Sequence, residues 1–568
     1  MIDVPAPYVE PAFLLPAIAC AGETITRIDI YRYAPSRRSA TARAEAAGNA
    51  ASDSSQRGQR LDSDTEVVRA YLRLQVGHPC NEQDRADSER MLRAQRFIAS
   101  AAVTPIADGP RRVRIRVDVV NEFELVIGGG LRGLTLSEVR LGTLDARGHG
   151  TTVIGSLERG GAYRDGVGVS VAQPGFLGRP AILTVAAAQN PLGGGARLSL
   201  LQPLLVDEQR YAFIANVGTD IDYQPLLRGN AETAAARTEH STYQAGLLRR
   251  IGTARHGRVI GLAGVFVGGA FAKTDASLVQ VTDDGLLSIA DSALVGRYPT
   301  YRSNHVAGIA AVRALRFRTV TRFDALRAQQ DVASGVELTL MGGPSIGTTA
   351  AERNEFVGAT LYAGHANTTT LRWLRVRFEG RTGSLVSGNR WTAAVGSARA
   401  AFYTHPDAKR TRQLTVSASG IHGVGLPFQL SMADDDGGLI GYAKSTRAGG
   451  RRVTARLEDR RLVTNERFWA DLAVGSFVDV GRIWRGDVPY GNTGPLMAST
   501  GVSLMAAYPS GGKRLYRVDF GIPLVRGPGD PLWVIRFSAT DRTLVRAPEP
   551  RDVSRARLET GPASLLRW

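Results

Sequence analysis

Apolar and polar residues alternate with a period of two along most of this chain, most cleanly over residues 451–542. In 514–524, Tyr516, Val518, Phe520, Ile522 and Leu524 alternate with Leu515, Arg517, Asp519, Gly521 and Pro523. In 467–481, Phe468, Ala470, Leu472, Val474, Val478 and Val480 fall on one side, with Asp471, Gly475 and Asp479 on the other. Val453, Ala455 and Leu457 oppose Thr454, Arg456, Glu458 and Arg460, and Trp533, Ile535, Phe537 and Ala539 share one face of 531–542. Successive strand side chains point to opposite faces, so the pattern predicts four or five strands, each with one apolar and one charged face. Their length suits a tilted crossing of a bilayer, which takes about 9–11 residues.

A soluble sheet buries such an apolar face, whereas a membrane barrel turns it to lipid and lines its lumen with the charged one. Earlier strands are predicted to start near Leu134, Thr151, Gly166, Pro180, Ala196, Arg210, Ser241, Arg258, Asn304, Gly335, Glu355, Leu371, Trp391 and Gln413. The sum is about eighteen strands separated by Gly, Asn, Asp and Pro. Repetition on this scale favours a closed barrel over a soluble multi-domain β protein, because a spanning sheet must pair every edge.

The first part of the chain differs. Residues 1–21 form an N-terminal segment, and 22–122 read as a small α+β domain. Its elements are a strand at 25–33, helices at 65–76 and 81–98, and strands at 101–106 and 112–120. Residues 35–63, rich in Ala, Ser, Arg and Gly, have little to bury and read as a disordered insertion. The barrel is assigned to 123–543. The tail, 544–568, does not alternate.

Composition narrows the class. No run of 18 apolar residues exists, so no transmembrane helix is expected. The net charge is +17, but the arginines are spread along the strands and interleaved with acids. That spread excludes nucleic acid as a partner and suits a basic lumen or acidic lipid head groups. Cys20 and Cys80 are too few for a four-ligand zinc site. They are either free thiols or a disulfide formed in an oxidising compartment. The apolar run before Cys20 resembles a cleavage site, but residues 1–11 lack Lys and Arg. Either a signal peptide starts upstream or this is ordinary sequence.

Strand, helix, helix, strand, strand followed by many amphipathic strands resembles the BamA/TamA family of bacterial outer-membrane proteins, with a single POTRA domain. Gly77-His78-Pro79-Cys80 and the segment from Ser88 to Phe97 match that domain's second-helix region. The resemblance implies a mainly β chain: one small α+β POTRA-like periplasmic domain, then a transmembrane antiparallel β-barrel of about 16 strands. It implies insertion of outer-membrane proteins or translocation of polypeptides, with no enzymatic step and no cofactor. The expected partners are outer-membrane lipid and lipopolysaccharide, unfolded polypeptide clients and accessory periplasmic proteins.

A second match lies near the C-terminus. Family members carry a V-R-G-F/Y loop whose arginine meets an acid on a strand bearing F-x-D-x-G. Phe477-Val478-Asp479-Val480-Gly481 matches the strand motif. The loop reads Leu439-Ile440-Gly441-Tyr442, with Ile440 at the arginine position. Asp479 then needs another cation, from Arg456, Arg460, Lys444 or Arg447. Asp479, Arg456 and Glu458 are either a latch for the Gly441-Tyr442 loop or an ion-pair network bracing the wall. Loss of the loop arginine also admits an alternative, a passive pore or surface anchor. The tail extends past the point where the family's barrel ends.

Other motifs carry less. Gly343-Pro344-Ser345-Ile346-Gly347 fits a nucleophile elbow in letters, but polar loop sequence follows where a helix is required. Asp434-Asp435-Asp436-Gly437 offers oxygens to a cation, although acidic loop runs are ordinarily just solvated. Gly128-Gly129-Gly130 lacks the residues of a phosphate loop and reads as a hinge before the barrel. The histidines show no metal-ligand spacing.

Overall fold

The computed structural model describes residues 18–34 and 65–566, apart from loop segments of eight residues or fewer such as 383–390, 443–446, 542–548 and 558–564. The expected insertion at 35–63 and most of the 1–21 segment lie outside the described residues.

A four-stranded sheet forms the N-terminal unit, in the spatial order Pro79–Asn81, Ala21–Tyr33, Arg112–Asn121, Ile98–Ala107. Ala21–Tyr33 runs parallel to Arg112–Asn121, and the other pairs are antiparallel. Val113, Ile115, Val117 and Val119 are buried, as their alternation with Arg and Asp demands. The helix Glu82–Arg93 starts on Asn81, whose side chain accepts the Gln83 N–H at 2.9 Å. It is shorter than expected, because the chain turns after Ala94 to enter Ile98–Ala107. The expected helix at 65–76 is a single turn, Glu66–Arg69. Beyond it the chain is drawn beside the first strand: the Gly77 N–H donates to Ile25 O and the Ile25 N–H to His78 O. Cys20 and Cys80 form a disulfide that fastens these two segments, with Cα atoms 5.0 Å apart.

Residues from Leu125 to Asp541 form one closed antiparallel barrel. Twenty-one strands lie in its ring order, but Gly285–Ile289 pairs only with the far end of Ile260–Thr282, whose near end pairs with Tyr301–Thr321. Among the described residues the wall therefore has twenty strands, not 16. The number is even, so first and last strands run antiparallel and meet. Two strands escaped the pattern. Leu125–Arg132 contains Gly128, Gly129 and Gly130, so the expected hinge is instead the first barrel strand. Its glycines lack the side chains that reveal alternation; they also bring it close to Phe537 and Ala539 of the last strand. Met497–Ala507 is the other, rich in Ser, Ala and Thr.

The outer face carries the apolar set. Leu457, Val478, Leu504 and Val518 are 55%, 46%, 62% and 38% exposed. These are the faces that a soluble sandwich would bury, and they repeat round the ring. Trp391 and Trp533 stand exposed where strands begin at one rim, and Tyr211 and Trp469 at the other. An apolar band between aromatic rims is the surface of a barrel set in a membrane. Arg456, Glu458, Asp479, Arg517 and Asp519 of the same strands face inward.

Candidate functional site

The lumen holds a folded-in loop. Between the strands Arg410–His422 and Arg451–Leu462 the chain turns into the barrel, where Leu430–Ser431 pairs with Ala448–Gly449. Leu439, Ile440 and Tyr442 at its tip are buried. Gly441 has φ +106°, and a Cβ there would stand 3.2 Å from Ser499 Cβ, so the tip suits glycine on both counts. The wall is shaped to receive it. A Cβ at Gly481 would stand 2.9 Å from Met432 Cε and 3.1 Å from Leu439 Cδ2, and one at Gly521 would stand 2.7 Å from Ile440 Cγ2. Gly481 of the F-x-D-x-G strand is therefore the space that the loop fills.

Polar contacts fix the same seat. The Ile440 N–H donates to Asp479 Oδ2 at 3.1 Å. Tyr442 sets its hydroxyl between the carbonyls of Ala498 (2.9 Å) and Val525 (2.7 Å). Asp479, 1% exposed, is gripped by Arg456, with Nε to Oδ1 and Nη2 to Oδ2 both at 2.6 Å. Arg456 also lies over the Phe477 ring, 5.0 Å from its centroid. The cation that the loop lacks at Ile440 thus comes from the wall, and the loop contributes a backbone N–H.

Glu458 does not join this pair. It accepts two 2.9 Å bonds from Arg517 and lies 3.3 Å from Arg460. Arg517 continues to Asp519 at 2.6 Å and to Ser503 Oγ at 2.8 Å. Arg460 also donates to Gln413 Oε1 and the Phe323 carbonyl, and Arg447 lies beside Gly527. Lys444 lies outside the described residues. Arg517, Asp519 and Ser503 went unread as a site, although inward charges on neighbouring strands were the available signal.

The tail enters the same space. The helix Arg551–Ala556 brings Asp552 to Arg452, with bonds of 2.6 and 3.0 Å, and to the Ser431 N–H at 3.2 Å. Glu549 accepts from Arg557 at 2.8 Å and from Ser397 Oγ at 2.5 Å. Leu565 and Leu566 are buried with Leu204, Ile214, Leu248 and Phe266, and the Leu204 N–H donates to Leu565 O at 2.8 Å. Tail residues that lack periodicity gave no sequence sign of this.

The N-terminal unit covers one mouth. Its apolar core includes Val126, Leu144, Leu205 and Val206 of the barrel. Arg32 pairs with Asp145 at 2.5 Å, and Arg90 donates to Leu205 O at 2.7 Å. Arg93 grips Asp331 at 2.9 and 2.8 Å, while Lys513 donates to the carbonyls of Arg93 and Ile98. The Tyr71 hydroxyl accepts from the Gly175 N–H. These partners are spread round the ring, so the unit spans the opening.

The remaining motifs resolve simply. Ser345 lies within the strand Gln329–Ile346, buried and donating to Asn354 Oδ1 at 2.7 Å, and not at a turn after it. Asp434 faces Arg536 at 3.9 Å, Asp435 and Asp436 lie outside the described residues, and no metal-ligand cluster occurs among the described residues.

No family model and no curated protein matches the chain. Among solved structures, CdiB from Escherichia coli is similar at 11% identity, covering 91% of this chain and 76% of that one, with a TM-score of 0.47. BamA from Haemophilus ducreyi lacking POTRA domains 1–3 is similar at 11% identity, over 91% and 85% of the two chains, with a TM-score of 0.41. CdiB from Acinetobacter baumannii is similar at 10% identity, over 91% and 74%, also with a TM-score of 0.41.

Proposed function

We propose that this protein is a BamA/TamA-type barrel of the bacterial outer membrane that inserts or translocates polypeptides, captured closed. The observation that carries this reading is the seat of the inward loop, where the Ile440 N–H and Arg456 share the Asp479 carboxylate. A loop held in the lumen by a few directional contacts, beneath a mouth spanned by a separate α/β unit, is a gate rather than a wall. The N-terminal unit is a POTRA-like domain lying in the periplasm. It offers a client the edge of Ala21–Tyr33 beyond Ile25, since Pro79–Asn81 pairs only at Ala21 and Thr24. The opposite edge is less open at Val103, whose N–H and C=O are taken by Glu89 and Arg85 of the helix. Lipid and lipopolysaccharide meet the outer band, and accessory periplasmic proteins meet the cap. A passive pore fits less well, because the lumen is occupied by loop and tail.

The test is client folding in proteoliposomes. Purified protein is expected to accelerate folding of an added unfolded outer-membrane barrel, and a variant lacking residues 1–120 is expected to lose that effect. Equal folding rates with and without the protein would count against the insertion reading, and a steady ion leak would favour the pore.

A further inference from the structure

We infer that the barrel lumen contains a binding site for a short peptide segment bearing two carboxylates, and that residues 549–557 with Leu565 and Leu566 are its resident occupant. The inference rests on the barrel geometry, not on transport activity.

The receptor side belongs to the wall and the inward loop. Arg452 is 3% exposed and gives two guanidinium nitrogens to Asp552, while Ser431 of the loop adds its backbone N–H. A planar guanidinium matched to both oxygens is a directional carboxylate receptor. Arg377 lies 3.4 Å from Glu549, and Ser397 Oγ donates to the same carboxylate. The two carboxylates stand three residues apart on the tail, each met by donors from the barrel. Val553 follows directly and is fully buried with Leu430, Met432, Leu439 and Tyr442 of the loop. At the far wall, Leu565 and Leu566 fill an apolar hollow and Leu565 O takes the Leu204 N–H.

The ligand class follows from these contacts: two carboxylates three residues apart, an aliphatic residue directly after the second, an arginine that meets Glu379 of the wall at 3.1 Å, and an aliphatic pair further on. The contacts bind by side-chain chemistry, and the tail reaches them as a flanking segment rather than as part of the wall. A peptide of the same chemistry supplied in trans competes for them. Because Ser431 binds Asp552 while the loop tip binds Asp479, occupant and loop hold each other in place.

The test uses single-channel recording in planar bilayers. The full chain and a variant lacking residues 542–568 are compared, with heat-modifiable gel migration as the check on barrel folding. The truncated barrel is expected to conduct more, and a synthetic peptide of residues 545–568 is expected to close it. A peptide carrying E549Q and D552N is expected to need at least roughly a hundredfold more for the same block, since two charged acceptors are lost and a bond to each is worth about 1.5–3 kcal/mol. A folded, truncated barrel with unchanged conductance, or equal block by the two peptides, overturns the inference. If the truncated chain does not fold, full-length D552N decides: more frequent openings support the site, and unchanged gating rejects it.

Discussion

Arg456 and Asp479 stand directly opposite each other on adjacent antiparallel strands and join through two parallel 2.6 Å bonds. Neither belongs to the inward loop, yet their pairing leaves Asp479 Oδ2 oriented to accept the Ile440 N–H. Removing the carboxylate leaves the half-buried Arg456 guanidinium without its partner and the loop tip without its acceptor. D479A is expected to cost about 3 kcal/mol or more. D479N, which keeps an acceptor for Ile440, is expected to cost less. Both are read from the temperature at which gel migration shifts, and equal values for the two would remove the backbone N–H from the account.

Ile440 occupies the place where the resemblance puts arginine, and it is packed against Gly521. Simply restoring the arginine is expected to destabilise the barrel, because Asp479 is already satisfied and a second guanidinium would be buried without an acid. I440R combined with R456A is expected to recover part of the loss, with a coupling of about 0.5–3 kcal/mol in a double-mutant cycle. Additive effects would mean that the two positions do not share Asp479.

The wall was legible because a strand with lipid outside and charge inside writes its two faces in alternate letters; Leu457 beside Glu458 and Val478 beside Asp479 are both. Glycine-rich Leu125–Arg132 and the small-residue strand Met497–Ala507 wrote no such pattern, and so the barrel is larger than expected. Asp479 and Arg456 were readable from neighbouring alternation, whereas Glu458 turned to Arg517, three strands along the wall, a reach that sequence spacing does not convey. The tail was illegible for another reason. Asp552 and Arg452 are a hundred residues apart and share no secondary structure, so only the folded lumen brings them together.

The Cys20–Cys80 disulfide closes a chain separation of 60 residues, and both sulfurs sit in the core of the N-terminal unit. Constraining the unfolded chain over such a loop is worth about 2–4 kcal/mol. C80S, or reduction of the native protein, is expected to raise protease sensitivity in the N-terminal unit while leaving the barrel's heat-modifiable migration unchanged. A simultaneous change in both would show that barrel and cap unfold together.

Tyr33 offers a pH probe of that unit. Burial, and then the Asp118 carboxylate 3.1 Å from its hydroxyl, push its pKa up to about 12. An unfolded tyrosine ionises near 10, so the folded unit favours the neutral ring. The resulting contribution to stability is complete below about pH 10 and is lost as the pH rises through about 12. Alkaline unfolding of the N-terminal unit, followed by proteolysis, is expected to become shallower across that window in Y33F. An unchanged profile would assign the alkaline transition to other groups.

Arg93 and Asp331 join the cap to the barrel with side chains only 8% and 13% exposed. A pair so enclosed is poorly screened, so the cap is expected to stay seated at high salt. Cutting the pair is different. D331N removes the charge while keeping the shape, and R93K replaces a two-nitrogen grip with a single ammonium. Each is expected to loosen the cap and raise amide hydrogen exchange in the helix Glu82–Arg93, with D331N the stronger because the buried Arg93 then keeps as its acidic partner only Glu89, 3.4 Å away on its own helix. The Arg90 guanidinium, 3.8 Å from the Phe317 ring centroid, is a second and independent anchor. F317A combined with D331N is therefore expected to release the cap further than either alone. Exchange that matches the parent protein in the double variant would mean that the shared apolar core at Leu205 and Val206, not the ion pair, holds the mouth shut.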